Sequence, residues 1–478
     1  MNTSIIKNTL GNILRMYALL MLLPVLVALI YGEKVIGFLI PFALTLLLSF
    51  LLANKKTAEG RLFAREGLVI VALAWILISA IGALPFVISG SIPLYIDAFF
   101  ETVSGFTTTG SSVVTNVELM PRSDLFWRAF SHWIGGMGVL VFAFAILPLS
   151  NEHSMHIMRA EIPGPTVGKL VPRTKSTARI LYIIYLVLTL VQTLLLMLGG
   201  LSLYDALLHS FATAGTGGFS SYAASVGHFD SVYVEMVCTV FMLIFSVNFS
   251  LFFLILIGQP LQALKNRELR CFAIIVSSAT LAIALGIWQM YGNFFTALRH
   301  AFFNVSSVIS TTGFCTVDFN TWPEFTKWIL LLLMFCGACA GSTGGGLKIS
   351  RLMVLAKAAV CEIRHVAHPR SVNRVRLEGK VLSNDSVHDV LAFFLMYIAL
   401  MLMFAFIISF DGFGIETTFT AALTCISNVG PGLGLVGPTG SFAIFSPLSK
   451  LALSFAMLLG RLEIYPLIVL LSRNTWKR

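Results

Sequence analysis

One short polar segment occurs four times in this chain, at nearly regular intervals. The segment Asp97–Gly110 recurs at His300–Gly313 with 7 of 14 positions identical and no gap. Looser copies end at Gly217 and Gly430, so the four terminal glycines are spaced by 107, 96 and 117 residues. A repeat of this period predicts four structural units that pack around one axis.

The composition places these repeats in a membrane. Hydrophobic residues make up 57% of the 478 residues, and charged residues only 11%, against roughly 25% charged in a soluble domain. Uncharged runs such as Leu68–Ile88 and Leu391–Phe410 reach the length of about 20 apolar residues that a membrane span requires. A soluble globular protein is therefore excluded.

The order of apolar and polar segments predicts an all-α polytopic membrane protein of about ten spans. Two N-terminal transmembrane helices occupy residues 1–66, and four helix–pore-loop–helix repeats follow around a pseudo-fourfold pore. The predicted units are pore repeat 1 at 67–150, a cytosolic loop with pore repeat 2 at 151–258, pore repeat 3 at 259–358, and a cytosolic loop with pore repeat 4 at 359–478.

Basic residues mark one face of the membrane. Of 32 Lys and Arg residues, 24 fall in six stretches that alternate with acid-rich stretches. The positive-inside rule assigns the basic stretches, and with them both termini, to the cytosol. This topology, rather than nucleic-acid binding, accounts for the net charge of +10. The opposite face holds more acids than bases, which either forms a vestibule that concentrates cations or only reflects topology.

The four repeated segments are candidates for an ion filter. Non-helical backbone at membrane depth is tolerated only inside protein or against a water-filled cavity. Glycine permits the φ values that turn carbonyls toward a bare ion, and threonine adds a hydroxyl. Close helix packing by small residues is the alternative. The candidate ion ligands are Thr108, Thr109, Gly110, Thr216, Gly217, Thr311, Thr312, Gly313, Asn428, Val429 and Gly430.

The chain resembles the TrkH/TrkG–KtrB superfamily of potassium transport subunits, and within it the TrkH-type members, over essentially its whole length. The matching motifs are SGFTTTGSS, WIGGMGVLVF, ATAGTGGFS, ISTTGF, GSTGGGLKISR, SNVGPGLG and GRLEIYP. The two extra N-terminal helices are also TrkH-like. The resemblance implies that the filter glycines are Gly110, Gly217, Gly313 and Gly430. Some plant relatives that prefer sodium carry serine in the first repeat, so Gly110 implies selectivity for K⁺.

Two features beneath the predicted filter are candidates for a gate. Ala338–Gly346 contains four glycines within six residues, and because each costs about 1 kcal/mol relative to Ala in a helix, the helix should break there. The resemblance implies an intramembrane gating loop at this break; a packing kink is the alternative. Arg461 lies in the last apolar run, and the resemblance implies that it projects into the pore; a structural contact with Glu463 or a carbonyl is the alternative. The candidate gating residues are Gly341, Ser342, Thr343, Gly344, Gly345, Gly346, Lys348 and Arg461.

These features predict a protein that is not an enzyme. They predict potassium uptake across the inner (plasma) membrane of a bacterial cell by channel-like permeation, with K⁺ transported and filter-bound and no organic cofactor in the chain. The alternative is a K⁺/H⁺ or K⁺/Na⁺ symporter, for which Glu463 is the only candidate coupling acid in an inner helix.

Partners are also implied by the resemblance. TrkH-type subunits are homodimers in membrane lipid, and they bind a cytosolic regulatory ring of the TrkA type that senses nucleotides and NAD(H). The basic stretches 151–180 and 351–385 are candidate docking surfaces for that ring. Solvated loops on the cytosolic side are the equally open alternative.

Overall fold

Helices form most of the backbone that the structure describes. The computed structural model describes residues 2–53, 63–138, 174–370, 374–377 and 380–476. Two short strands, β1 (Arg376–Leu377) and β2 (Lys380–Val381), pair antiparallel. In these ranges the helices, numbered in chain order, are α1 (Thr3–Leu20), α2 (Leu22–Ile30), α3 (Ile36–Leu52), α4 (Ala64–Gly82), α5 (Leu84–Ser89), α6 (Tyr95–Phe106), α7 (Arg122–Gly136), α8 (Thr174–Leu198), α9 (Leu203–Gly215), α10 (Val232–Ser246), α11 (Phe249–Leu256), α12 (Pro260–Leu264), α13 (Arg267–Tyr291), α14 (Phe294–Ile309), α15 (Glu324–Cys336), α16 (Ile349–Ala367), α17 (Asn384–Ile408), α18 (Ile415–Ser427), α19 (Pro447–Arg461), α20 (Tyr465–Leu471) and α21 (Arg473–Trp476).

Polar residues set where several of these helices begin. The side chain of Ser202 accepts a hydrogen bond from the amide of Asp205 at the start of α9, and Asn266 accepts one from Leu269 at the start of α13. Such caps satisfy amides that have no partner inside the helix. In a chain this apolar, the caps therefore define boundaries that hydrophobic periodicity alone does not.

The predicted leading helices are confirmed and pack onto the rest of the protein. The hydroxyl of Ser49 in α3 donates to the carbonyl of Gly11 in α1 at 2.8 Å. A Cβ on Gly11 would lie 2.7 Å from the amide nitrogen of Ala53, so only glycine allows this close crossing. Tyr17 of α1 donates to the carbonyl of Ile78 in α4 at 3.2 Å.

Long apolar helices make up the membrane-spanning part. Within the described ranges, five helices are long and apolar enough to cross a bilayer, or up to seven if each of two bent pairs counts as one span. The bent pairs are α10 with α11, at 93°, and α19 with α20, at 119°. The prediction of a helical polytopic membrane protein is confirmed. The other predicted spans fall on the 17-residue helix α3 and on helices that are interrupted or adjoin residues outside the described ranges.

The four helices that precede the repeated glycine segments are too short to cross a bilayer. Helices α6, α9, α14 and α18 contain 12, 13, 16 and 13 residues, which at about 1.5 Å per residue is roughly 18–24 Å, against about 30 Å of hydrocarbon core. Their C-terminal parts lie inside the protein, as in α6, where every residue from Phe100 to Phe106 is buried. These helices therefore end within the protein at membrane depth.

Aromatic side chains form the core between the leading helices and the first repeat. The ring of Tyr17 lies edge-on to Phe106 with centroids 5.9 Å apart, and Phe106 lies edge-on to Trp127 at 5.8 Å. The indole nitrogen of Trp127 donates to the carbonyl of Gly82 at 3.0 Å. This cluster fixes the end of α6, and with it the segment that follows.

Candidate functional site

Each of the four short helices ends in the same backbone motif. In the first copy, the amide of Thr109 donates to the carbonyl of Ser104 at 2.9 Å and that of Thr108 to Gly105 at 3.1 Å. These are the two bonds of a Schellman motif, in which the first residue past the helix is left-handed and usually Gly. The other three copies contain the same pair of bonds. The left-handed residues are Thr108 (φ 56°), Thr216 (φ 56°), Thr311 (φ 59°) and Asn428 (φ 55°).

A glycine with positive φ follows two residues after each left-handed residue. We call residues 108–110, 216–218, 311–313 and 428–430 the ring segments. They contain all eleven predicted ion ligands and one further residue, Gly218. A left-handed residue other than glycine costs roughly 1–2 kcal/mol, so four such residues indicate that the surrounding protein holds this conformation.

The second ring segment is displaced by one residue from the sequence alignment. The alignment placed Gly217 level with Gly110, but the backbone places Gly218 there, with φ of 78° against 81°. Gly217 is level with Thr109, because the amide of each donates to the carbonyl five residues earlier. Residues 215–218 read Gly-Thr-Gly-Gly, so the sequence allows two placements, and the end of α9 decides between them.

The ring segments contact one another in a closed cycle. A Cβ added to the positive-φ glycine of each segment would lie within 2.7 Å of a carbonyl oxygen in the next segment. Only glycine therefore fits at these four positions. The facing pairs, glycine first, are Gly110 and Gly217, Gly218 and Thr312, Gly313 and Val429, and Gly430 and Thr109.

Side-chain oxygens lie at the inner end of the ring. The carboxamide nitrogen of Asn428 donates to Thr109 Oγ1 at 2.9 Å and to the carbonyl of Met457 at 3.0 Å, which joins the fourth segment to the first. Two oxygens at this level, Thr108 Oγ1 and Asn428 Oδ1, are buried and have no hydrogen-bond partner within the described part of the chain. Buried oxygens without donors are suited to a cation or to water.

A cavity lies on each side of the ring. The outer cavity has a volume of about 270 Å³ and is lined by the ring glycines Gly110, Gly218, Gly313 and Gly430, together with Arg128. The inner cavity has a volume of about 70 Å³ and is lined by Gly341, Ser342, Gly344, Gly345, Lys348 and Arg461. The outer cavity thus borders the ring directly, whereas the inner cavity borders the loop between α15 and α16 and is lined by none of the ring segments.

The predicted helix break lies directly beneath the ring. We call residues 337–348, between α15 and α16, the break loop. The amide of Gly345 donates to Thr311 Oγ1 at 2.7 Å, and a Cβ on Gly344 would lie 2.9 Å from the carbonyl oxygen of Ser310. The loop's glycines therefore allow its backbone to approach the inner end of the third ring segment.

Buried polar groups hold the break loop from below. Glu268 Oε1 accepts from the amide of Ala340 within the loop, at 2.8 Å, and from the amide of Ser350 at the start of α16, at 3.1 Å. Thr343 donates to the carbonyl of Phe245 at 3.1 Å. The ammonium group of Lys348, itself buried, bonds the carbonyl of Gly344. The predicted gating residues 341–346 and Lys348 thus all belong to one anchored structure.

Arg461 joins the break loop to the first repeat. Its Nη1 donates to the carbonyl of Thr343 at 2.7 Å, and its Nη2 donates to the carbonyls of Gly135 and Gly136 at 2.6 and 2.7 Å. The side chain therefore makes the carbonyl contacts of the alternative interpretation, and it also lines the inner cavity; its projection into a pore stays a prediction. Glu463 is paired with Arg351, since its Oε2 lies 2.6 Å from Arg351 Nη2.

Two residues near the ring were not recognised as site residues from the sequence. Glu101 and Arg128 form a buried ion pair beside the outer cavity, although the sequence showed them only as charges of the outer face. The available signal was local: Glu101 lies inside the duplicated segment, where the third repeat has Asn304, and Arg128 interrupts an aromatic stretch.

The predicted docking stretches are described only in part. Residues 151–173, 371–373 and 378–379 lie outside the described ranges. In the second stretch, Arg370 and Arg374 are exposed on the loop that follows α16. Among the described residues, no group of three or more His, Cys, Asp or Glu side chains is arranged to hold a metal ion.

Comparison with known proteins relates this geometry to transport proteins. The family described as "TrkH: Cation transport protein" matches residues 34–477. The chain is 37% identical to the Trk system potassium uptake protein TrkH of Salmonella typhimurium, over 99% of both chains. It is 35% identical to the Trk system potassium uptake protein TrkG of Escherichia coli, over the full length of both.

A solved structure has the same fold. The crystal structure of the potassium transporter TrkH from Vibrio parahaemolyticus superposes with a TM-score of 0.89 at 34% sequence identity and covers 100% of both chains. The likeness therefore includes the ring, the break loop and the leading helices.

Proposed function

The chain belongs to the TrkH family of cation transport proteins, and from that premise we propose that it takes up potassium through the ring by selective, channel-like permeation. The observation that carries this proposal is the closed cycle of four segments in which each glycine faces a neighbour's carbonyl. A cycle of backbone oxygens can replace the hydration shell of K⁺. The relatives named above, all called potassium uptake or transport proteins, agree with this substrate.

The ring segments supply the ligands for the ion. Their carbonyls, with the hydroxyls of Thr108, Thr216 and Thr311 at the inner end, form successive levels of oxygen. The C-terminal ends of four short helices meet there, and the partial negative charge of each favours a cation. Conduction follows the membrane potential, which contributes about 2.3 kcal/mol per charge for each 100 mV.

The break loop and Arg461 form the gate. The loop lies against the inner end of the third ring segment, and the inner cavity beside it measures only about 70 Å³. A guanidinium at this point opposes a passing cation, since like charges about 4 Å apart repel by roughly 4 kcal/mol at an effective dielectric of 20. Ions pass when the loop and Arg461 withdraw.

A cytosolic regulatory ring of the TrkA type, which binds nucleotides and NAD(H), controls this withdrawal. The protein is a homodimer in the bacterial inner membrane, with both termini cytosolic and membrane lipid around its apolar faces. The exposed basic residues after α16 are one docking surface. Reversing the charge of Arg370, Arg374 and Arg376 is expected to abolish co-purification with the regulatory ring; unchanged association excludes this surface.

The direct test is ⁸⁶Rb⁺ uptake into proteoliposomes with and without competing Na⁺. We expect uptake that Na⁺ does not block and that increases with an inside-negative potential. Protein-free liposomes give the background. Uptake at that background, or equal competition by Na⁺, contradicts the proposal.

A proton gradient distinguishes the channel from the symporter. The symporter rests on Glu463 as coupling acid, and its carboxylate is held in a salt bridge with Arg351. In liposomes at fixed K⁺, a channel's reversal potential is independent of the pH difference. A reversal potential that moves with pH supports coupled transport instead.

A further inference from the structure

A buried ion pair lies between the first two ring segments. The side chains of Glu101 and Arg128 are 0% and 3% exposed, and Arg128 Nη2 and Nε lie 2.7 and 2.8 Å from Glu101 Oε1. It is the most deeply buried of the ion pairs within the described ranges. Removing either residue would leave the other as an uncompensated buried charge, so the two side chains hold each other in place.

Glu101 holds the chain just beyond the first ring segment. Its Oε2 accepts from the amide of Val113 at 2.9 Å, and its Oε1 accepts from the hydroxyl of Ser112 at 2.9 Å. The same hydroxyl accepts from Arg128 Nη2 at 3.2 Å. Because Ser112 and Val113 follow Gly110 by two and three residues, the pair sets where the first segment leaves the ring.

Arg128 holds the chain just beyond the second ring segment. Its Nη1 donates to the carbonyl of Ser220 at 3.3 Å, and its guanidinium carbon lies 4.1 Å from the ring centroid of Phe219. These two residues directly follow Gly218. The Arg128 side chain therefore bridges the outer ends of the first two segments.

His132 makes a second bridge one helical turn further along α7. Its Nδ1 lies 2.7 Å from the carbonyl of Gly105, and its Nε2 accepts from the amide of Phe219 at 3.2 Å. Positions four apart share a helix face, so α7 presents both side chains to the same junction. The two contacts assign the proton of the neutral imidazole to Nδ1.

The third repeat does not contain this bridge. Asn304 occupies the place of Glu101, and its carboxamide nitrogen bonds the carbonyl of His300 within the same helix at 2.9 Å. Leu330 follows Pro323, the N-cap of α15, at the interval at which Arg128 follows Pro121, the N-cap of α7. The ion pair thus distinguishes the junction of segments one and two from the corresponding junction of segments three and four.

We propose that Arg128, with Glu101 as its counter-ion, is a positioning residue that sets the separation of the first two ring segments and thereby the preference for K⁺ over Na⁺. This inference rests on the proposed function. Discrimination between the two ions depends on the number and spacing of the carbonyls that face them. The carboxylate neutralises the guanidinium, so Arg128 can line the outer cavity without repelling cations.

The test compares Arg128→Gln, Glu101→Gln, the double variant and Ser112→Ala by two measurements. Thermal unfolding of purified protein in rising K⁺ or Na⁺ gives the two dissociation constants without transport. Reversal potentials in proteoliposomes give the permeability ratio. We expect each charge variant to lower the K⁺/Na⁺ ratio roughly tenfold in both measurements, and the double variant to fall no further, because contacting residues are not additive.

Two control variants distinguish an effect on the position of the ring segments from an effect of charge and from misfolding. Lys327→Gln removes an outer-face cation that pairs with exposed Glu324 and is expected to leave the ratio unchanged. Ser112→Ala removes one hydroxyl and no charge, so it tests the hydrogen bonds that position the first ring segment even if Arg128→Gln does not fold. We expect it to lower the K⁺/Na⁺ ratio a few-fold.

The outcomes are distinct. A wild-type ratio in folded Arg128→Gln and in Ser112→Ala overturns the inference. The inference is also overturned if Arg128→Gln and Glu101→Gln change K⁺ flux in opposite directions while the K⁺/Na⁺ ratio stays constant. That result would show that the two charges act on the passing ion electrostatically and do not set the geometry of the ring. A wild type that binds K⁺ no better than Na⁺ overturns the proposed function, and this inference with it.

Discussion

The ring and the break loop lie in direct contact but are built on different plans. The ring repeats one backbone motif four times, with left-handed residues whose φ angles differ by only a few degrees, from 55° to 59°. The break loop is one segment of the third repeat, and it is held by the side chains of Glu268, Lys348 and Arg461.

Under the proposed function, this difference corresponds to two tasks, ion selection and gating. Selection by size requires equivalent oxygens on all sides of an ion, which repetition of a backbone motif supplies at no cost in charge. Obstruction of a path requires only one structure that can withdraw, and a single loop held by a few polar contacts meets that need. Changes in the ring should therefore alter ion preference, and changes at the loop should alter flux. The predictions below test that separation.

Gly110→Ser should have the largest effect. The serine Cβ meets the carbonyl oxygen of Gly217 at a φ of 81°, so the first two segments must move apart. We expect the K⁺/Na⁺ permeability ratio, measured from reversal potentials, to fall roughly 100-fold. Each tenfold change corresponds to about 1.4 kcal/mol.

Gly90→Ser is its matched control. Gly90 has the same φ of 81°, and no described atom lies within 4 Å of its added Cβ. This variant carries the backbone strain without the overlap, so its ratio should equal that of the wild type. An unchanged ratio in Gly110→Ser would remove the first segment from selectivity.

Arg461→Ala should increase K⁺ flux about tenfold at an unchanged K⁺/Na⁺ ratio. The substitution removes three hydrogen bonds that hold the break loop and α7, and it removes the positive charge that opposes a passing cation. A tenfold increase corresponds to a barrier lower by about 1.4 kcal/mol. Initial rates of ⁸⁶Rb⁺ uptake measure it. Arg461→Lys keeps the charge and should give a smaller increase. Reduced flux in Arg461→Ala would assign the residue to structure alone.

Glu268→Ala should increase flux a few-fold. It leaves the amides of Ala340 and Ser350 without their acceptor, and each lost bond to a charged group contributes roughly 1.5–3 kcal/mol to holding the loop. Glu268→Gln retains an acceptor oxygen and serves as the control, with flux near wild type. Equal flux in the two variants would show that charge, and not the loop contact, is what matters.

Asn428→Ala should have the smallest effect and should act on the ring. It removes the bonds to Thr109 Oγ1 and to the carbonyl of Met457, and we expect the free energy of unfolding to fall by about 1–2 kcal/mol with a two- to threefold loss of K⁺/Na⁺ preference.

Asn320→Ala is the comparison for this variant. Asn320 also joins two repeats, through the carbonyl and amide of Gly434, but away from the ring. It should lose similar stability and keep its ion preference. If both variants lose preference equally, stability rather than ring geometry explains the effect.

The repeated elements could be predicted from the sequence because each copy supports the others. The duplication at Asp97–Gly110 and His300–Gly313 marked the short helices, and the four glycines at 341–346 marked the break in the third repeat. Local composition was enough to predict both features, because the length of a short helix and the interruption of a helix depend on the residues within that stretch of sequence.

Contacts between distant residues could not be predicted in this way. The level of Gly218 depends on where α9 ends, and the three glycines of that stretch made two alignments equally good. The partners of Arg461 lie 118 and 326 residues away, and the pairing of Arg128 with Glu101 requires α7 to lie against α6. The sequence placed Arg461 in an apolar run and Glu101 and Arg128 among the charges of the outer face, but it did not show what these side chains touch.

Closure of the ring has a consequence for how the protein is made. Gly430 meets Thr109, and Asn428 bonds Thr109 from 319 residues along the chain. At about 5–20 residues per second, the ribosome reaches the fourth ring segment on the order of tens of seconds after it has made the first. Until the fourth ring segment is made, the first three repeats lie in the bilayer with polar backbone groups exposed where that segment will pack. Premature termination before the fourth hairpin should thus yield a chain that proteolytic quality control removes.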